Sequence, residues 1–170
     1  KMEIPGMGQI RSGYDGTVAW STDPMTGPRL LDGVQAEQVR EDADPDASMR
    51  LTPNITSSET VEKTSMNGQE CHKVKHTWKS GRVTHDCFAL SDGLLIATMA
   101  KQASAMGEMD VTSFYSNYKD FGGIKRATVM SAQMMGQNAT TTITLWEWDT
   151  VDPKELELPA DIKALVVKKP

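Results

Sequence analysis

The second half of the chain alternates polar and apolar residues in short segments that only turns separate, and this pattern constrains the fold most. The segments extend from Thr56 to Val151. Because turn-length connections leave no room for crossover helices, consecutive segments must pair as antiparallel strands. The connecting turns are Asn67-Gly68, Ser80-Gly81, Asp92-Gly93, Met106-Gly107, Gly122-Gly123 and Gly136-Gln137-Asn138. The sequence therefore predicts one long meander, which must bury one face or curl around something.

The first part of the chain predicts a hairpin followed by a loop. The strand-like runs 8–14 and 17–21 flank Asp15-Gly16, and Asp-Gly between such runs is a strong hairpin signal. Residues 23–29 contain two prolines and a glycine. These residue types predict a loop there, rather than a helix or a central strand.

Helices are predicted at only two places. Asp32 is placed to cap a helix that continues to Ala43, and Pro45 stops it. Residues 160–167 predict a short C-terminal helix or turn. The predicted fold class is therefore mainly β, with one or two short helices.

Composition fits a folded domain and argues against nucleic acid as a partner. The chain has 170 residues, of which 38% are hydrophobic and 24% charged, so we expect one domain over residues 1–170 with its own core. The net charge is −5, and the cations are scattered, whereas a phosphate-binding surface is normally basic. The first residue is Lys1, in a strand-like run, so we expect residues upstream that are not in view.

Two cysteines, Cys71 and Cys87, lie on neighbouring predicted strands. A two-residue turn at Ser80-Gly81 would put their sulfurs on opposite faces of the sheet. A longer loop centred on Lys79 would place Cys71 directly opposite Cys87, within reach of a disulfide. We favour the disulfide, which implies an oxidising compartment; two buried thiols are the alternative.

No residue pattern predicts catalysis, a metal or a cofactor. His72, His76 and His85 lie on the strands of the cysteines, but no C-x2-C pair and no helical H-x3-H pair accompanies them. Ser-His-Asp catalysis lacks a nucleophile-elbow motif. We therefore predict a non-catalytic protein without a cofactor.

Tryptophan and methionine are the remaining candidates for a binding surface. Eleven methionines are present, and their flexible thioethers suit adaptable apolar surfaces. If the sheet curls into a half-barrel, its concave face could hold a lipid-sized ligand; an ordinary closed core is the alternative. The predicted ligand-binding residues are Trp20, Trp78, Met99, Met130, Met134, Trp146 and Trp148.

Several segments, which together span nearly all of the chain, resemble the bacterial outer-membrane lipoprotein-sorting proteins of the LolA/LolB-like fold. They are Ile4-Pro5-Gly6-Met7-Gly8, Tyr14–Trp20, Pro24–Leu31, Val74–Arg82, Gly93–Ile96 and Tyr118–Lys125. The resemblance implies an antiparallel half-open β-barrel with helices on its open side. The visible chain lacks the N-terminal helix and first strands expected of that fold, and either residues upstream of Lys1 or strands from a partner chain would complete it.

The resemblance further implies a function outside the cytoplasm. The carriers of that group receive lipoprotein acyl chains on a concave apolar face as these cross the periplasm. We therefore expect a periplasmic domain that binds lipid or lipoprotein acyl chains, with the segment Asp32–Ala43 as its lid. The alternative is an accessory subunit of a membrane-bound complex, whose partners would be membrane-protein subunits at the periplasmic face.

Overall fold

The computed structural model describes residues 2–4, 8–44, 52–104, 107–134, 136–148 and 150–167. They form two compact units. The first unit contains the described residues up to Thr52 and those from Trp148 onward, and the second unit spans Pro53–Glu147.

The first unit contains a four-stranded antiparallel sheet in chain order. Its strands are β1 (Met2–Ile4), β2 (Gly8–Tyr14), β3 (Ala19–Asp23) and β4 (Gly27–Leu30). The predicted β2–β3 hairpin is confirmed. Its turn is held by Asp15, whose carboxylate accepts the backbone N–H groups of Val18 and Thr17, each at 2.8 Å. These bonds, that of Val18 first, lower the pKa of Asp15.

The loop predicted for residues 23–29 is only partly correct. Residues 24–26 form a turn, but Gly27–Leu30 continues as strand β4. Among the described strands, β4 is at the edge of its sheet and pairs with β3 alone. An edge position tolerates Pro28, because its missing N–H need not bond to a second neighbour.

Both predicted helices are present in the first unit. Helix α1 (Gly33–Asp42) begins after Asp32, which is the N-cap residue although its side chain makes no capping hydrogen bond. Helix α1 packs on β2 and β3 and buries Ala36. Helix α2 (Ala160–Val167) packs on β4 and buries Ile162 completely.

The second unit is the predicted meander, and this confirms the mainly β fold class. Seven antiparallel strands follow each other in chain order. The sheet is not closed, as a half-open barrel requires, and its edges are β5 and β11. The strands are β5 (Ile55–Met66), β6 (Gln69–Trp78), β7 (Val83–Ala89), β8 (Leu95–Ser104), β9 (Gly107–Phe121), β10 (Ile124–Met134) and β11 (Gln137–Thr142).

The last strand is shorter than its alternating pattern predicts. The alternation continues to Thr150, but β11 ends at Thr142. One further backbone bond joins the Ile143 N–H to the Thr128 carbonyl at 2.8 Å. Beyond it, Trp146 packs 5.9 Å from the Phe121 ring, measured between centroids. Trp146 therefore contacts the sheet through its side chain, although its backbone lies beyond the end of β11.

Strand pairing sorts the side chains of the seven-stranded sheet onto two faces. We call one the thiol face, because Cys71 and Cys87 lie on it; with Ala89 and Ala97 they form a buried cluster. We call the other the His76 face. It carries His76, Thr84, Asp86, Phe88, Thr98, Ala100, Val111, Tyr115 and Met130.

Candidate functional site

The His76 face presents a band of half-buried apolar side chains. The band crosses five neighbouring strands, and none of its members is fully buried. Among the described elements of the second unit, extensive contacts join only neighbouring strands, so no helix or second sheet of this unit stacks on the band. The band consists of Val74, Phe88, Ala100, Val111, Tyr115 and Met130.

A polar chain, made of four side chains, crosses this band, since Asp86 pairs with Val74 on β6 and with Thr98 on β8. The Ser58 hydroxyl is 2.7 Å from His76 Nδ1, and His76 Nε2 is 3.4 Å from Asp86 Oδ2. The hydroxyl of Thr98 donates to Asp86 Oδ1 at 2.8 Å. Strands β5, β6, β7 and β8 each contribute one residue to this chain, so its geometry is fixed by the register of the sheet.

The solvent exposure of these four groups differs along the polar chain. Ser58 is exposed, whereas His76 keeps only 5% of its surface accessible. Burial raises the pKa of Asp86, while the Thr98 hydrogen bond and the charges of His76 and His85 oppose that shift. The polar chain therefore leads from the solvent-exposed Ser58 to the largely desolvated carboxylate of Asp86.

An aromatic group closes one end of the same face. The Trp78 indole N–H donates to the hydroxyl of the buried Thr84 at 3.0 Å. The Arg82 guanidinium lies 4.1 Å from the centroid of the Trp78 ring. At that distance a cation is attracted to the face of the indole ring, so this end of the His76 face combines an aromatic surface with a positive charge.

The thiol face carries the cysteine pair in a register that the sequence did not predict. Cys71 pairs with Ala89, and Cys87 pairs with Lys73. The cysteines are therefore diagonal neighbours on one face, and both predicted registers are wrong. Each is fully buried as a free thiol. The disulfide itself stays a prediction.

The buried cysteines are poor nucleophiles. Burial, reinforced by the hydrogen bond with Cys71, raises the pKa of Cys87 from 9.0 to about 12. A thiol reacts through its thiolate, and the raised pKa keeps Cys87 in its protonated form at neutral pH. The pair belongs to the core rather than to a reactive site.

The structure brings some of the predicted ligand-binding residues together. Trp78 and Met130 lie on the His76 face and are half-buried. Trp146 lies beside Arg126, whose guanidinium is 5.0 Å from the Trp146 ring centroid. Because Arg126 and Met130 alternate on the same face of β10, Trp146 joins this group.

The other predicted ligand-binding residues lie elsewhere. Met99 lies on the thiol face, against its buried cluster. Trp20 and Trp148 belong to the first unit, where Trp20 is buried and Trp148 is 45% exposed. The side chain of Met134 lies outside what the structure describes. The described members of the predicted set therefore do not line one cavity within either unit.

A small cavity lies in the first unit. Its volume is about 190 Å³, and its walls include Ile10, Pro24, Met25 and Arg29. The Arg29 Nε–H donates to the Ser21 hydroxyl at 3.0 Å. The volume is below the roughly 300 Å³ at which pockets for whole small molecules begin, so the cavity suits a single side chain or a short alkyl group.

The three histidines that lie on the strands of the cysteines divide between the faces. His72 and His76 share one face, while His85 is on the thiol face. Within the described ranges, no group of three or more His, Cys, Asp or Glu side chains could hold a metal ion. No helix in those ranges is both long and apolar enough to cross a membrane.

Comparisons with known proteins add no relative. No protein-family model, curated protein or solved structure matches this chain significantly. The likeness to lipoprotein-sorting proteins therefore stays a prediction from the sequence.

Proposed function

We propose that the second unit binds acyl chains of a lipid or lipoprotein on its His76 face. One observation carries the proposal: among the described elements of its unit, no helix or second sheet lies over the half-buried apolar band from Val74 to Met130. An apolar face of a single sheet needs a cover. A ligand that covers it gains the free energy of burial from each contact.

The physical driving force is the removal of apolar surface from water. Each buried methylene contributes about 0.8 kcal/mol, so an acyl chain gains affinity with length. Met130 supports this role because thioether side chains adapt to ligands of varied shape. The polar chain from Ser58 to Thr98 would accept the ester or carboxyl head, where acyl chains carry their polar group.

The test compares two half-buried methionines on opposite faces of the sheet. Met130→Ser should weaken binding of a fluorescent long-chain fatty acid about five- to tenfold, because it removes roughly 1 kcal/mol of apolar contact. Met99→Ser, on the thiol face, is the matched control and should leave that affinity unchanged. Circular dichroism and urea unfolding establish that both variants are folded.

Two outcomes would overturn the proposal. Equal affinities of the wild type and Met130→Ser would mean that the His76 face does not hold the ligand. A loss confined to Met99→Ser would place the ligand on the thiol face, in agreement with the sequence-based choice of Met99 but against the face proposed here.

A second candidate function, an accessory subunit of a membrane-bound complex, is favoured by the edge strand β11. Edge strands are commonly protected by charges and bulges. Strand β5 has both, with Glu59, Glu62 and Lys63 and two shifts of register. Strand β11 (Gln137–Thr142) carries no charged residue, and its pairing with β10 has no shift. Such an edge can accept a strand from a partner.

The subunit alternative is tested by charging that edge. Thr141→Lys on β11 should remove any partner seen by native mass spectrometry of mild detergent extracts, while Ser57→Lys on the protected β5 edge should not. A monomer in both the wild type and the variants would eliminate this alternative. The periplasmic location belongs to both candidate functions and is tested by fractionation of the native cells.

A further inference from the structure

We propose that Ser58 is an activated nucleophile, with His76 as its general base and Asp86 as the residue that positions the base. Three side chains from neighbouring strands meet in the order hydroxyl, imidazole, carboxylate. The nucleophile proposal does not depend on lipid binding. Only the acyl nature of the substrate rests on the proposed function.

Two contacts of the His76 ring assign the proton positions within the proposal. The contact between His76 Nε2 and Asp86 Oδ2, at 3.4 Å, is longer than an ordinary hydrogen bond. An ionised carboxylate can only accept, so the proposal puts the ring proton on Nε2, facing Asp86. His76 Nδ1 then has its lone pair directed at the Ser58 hydroxyl, 2.7 Å away. This is the arrangement in which an imidazole can remove the hydroxyl proton, and the separation is within the range that general-base catalysis needs.

Asp86 is held so that it can orient the imidazole. Its second oxygen accepts the Thr98 hydroxyl at 2.8 Å, which leaves Oδ2 toward His76. His76 is buried, so its ring is fixed by packing as well as by the carboxylate. Ser58, in contrast, is exposed on the edge strand β5, where a substrate can approach it. A structural polar ladder would not require its outermost hydroxyl to be accessible.

The surroundings of Ser58 suit an acyl ester. Val74 and Trp78 flank His76 on the same face of β6, and both are half-buried and apolar. A carbonyl carbon next to Ser58 Oγ would therefore have its hydrocarbon part against these two side chains. The apolar band beyond them could hold a longer chain.

The chemical step is an acyl transfer. Ser58 Oγ forms a bond to the carbonyl carbon of the ester, and the bond from that carbon to the alkoxy oxygen breaks. His76 Nδ1 takes the proton of the Ser58 hydroxyl and gives it to the departing alcohol. Attack of water on the acyl-serine, by the same proton path, releases the carboxylic acid and restores Ser58.

The first test uses no lipid and measures the base directly. Ser58→Cys should react with iodoacetamide at pH 7 at least about tenfold faster than Ser65→Cys, because a neighbouring imidazole promotes thiolate formation. Ser65 is the matched control, since it lies on the same face of β5, is exposed and pairs with Glu70 rather than a histidine. The native cysteines are fully buried and contribute only a slow background.

The second test measures the nucleophile in the unaltered chain. A fluorophosphonate with an alkyl chain should label the wild type at Ser58, identified by peptide mass spectrometry. It should label neither Ser58→Ala nor His76→Gln, and Asp86→Asn should be labelled more slowly. Equal alkylation of Ser58→Cys and Ser65→Cys, together with no labelling of the wild type, would overturn the proposal. That result would not change the expected affinity difference between Met130→Ser and Met99→Ser. The nucleophile proposal and the lipid-binding proposal can therefore be refuted independently.

Discussion

The two faces of the seven-stranded sheet are built from the same strands but differ in how deeply their side chains are buried. On the thiol face, Cys71, Cys87, Ala89 and Ala97 are at most 3% exposed and form a small closed core. On the His76 face, the apolar band is half-buried and polar side chains cross it. The difference teaches that the thiol face is closed by burial, whereas the His76 face keeps apolar surface and polar side chains partly accessible.

The largest difference that we expect between the faces is in chemical reactivity. Because the pKa of Cys87 is raised from 9.0 to about 12, its thiolate population at pH 8 falls about a thousandfold. Iodoacetamide should modify the native thiols extremely slowly, and a thiol assay after denaturation in guanidinium should find both. Finding none after denaturation would establish the disulfide that the sequence predicts. Fast modification of the native protein would contradict the burial of this pair.

The next effect compares two alanines of β8 that lie on opposite faces. Ala97→Asp should destabilise the protein by about 3 kcal/mol or more, because it places a carboxylate where no surface is accessible. Ala100→Asp should cost much less, since Ala100 is half-buried on the His76 face. Urea unfolding measures both free energies, and similar costs would mean that the faces are equally closed.

A smaller loss is expected at the hydrogen bond that fixes Asp86. Thr98→Val should lower the free energy of unfolding by about 1.5–3 kcal/mol, because it removes a donor to a largely buried carboxylate. Thr112→Val, on the thiol face, is the control, because Thr112 makes no side-chain hydrogen bond to a described residue. A loss as large in Thr112→Val would indicate a general cost of replacing threonine in this sheet.

The smallest effect concerns pH and the same carboxylate. Burial raises the pKa of Asp86 in the folded protein above the ordinary value of 3.8, so the folded state holds this proton more tightly than the unfolded state. The resulting stabilisation is present below the unfolded pKa and is lost as the pH rises through the folded pKa. Relative to Asp86→Asn, the wild type should therefore be most stable near pH 3.5 and lose that advantage toward pH 7. A difference that is constant with pH would contradict a raised pKa.

The sequence by itself determined the order of the elements. Alternation and turn chemistry act between near neighbours, so they predicted the meander, the β2–β3 hairpin and the positions of both helices. Composition also identified Trp78, Met130 and Trp146, which the structure brings to one face. The sequence could not exclude Met99 from the predicted ligand-binding residues. Alternation shows that a strand has two faces, but it does not show which of them is covered.

Only the tertiary structure decided the register, and with it the site. The β6–β7 turn has the Trp78 N–H bonded to the Arg82 carbonyl at 2.9 Å, with Gly81 at φ 84°. That backbone conformation favours glycine, and it sets a register between the two predicted ones, so the cysteines become diagonal neighbours. The same register, with that of β5, places Ser58, His76 and Asp86 in line. The sequence could not predict this constellation, since a shift of one residue on a strand moves each of its side chains to the other face.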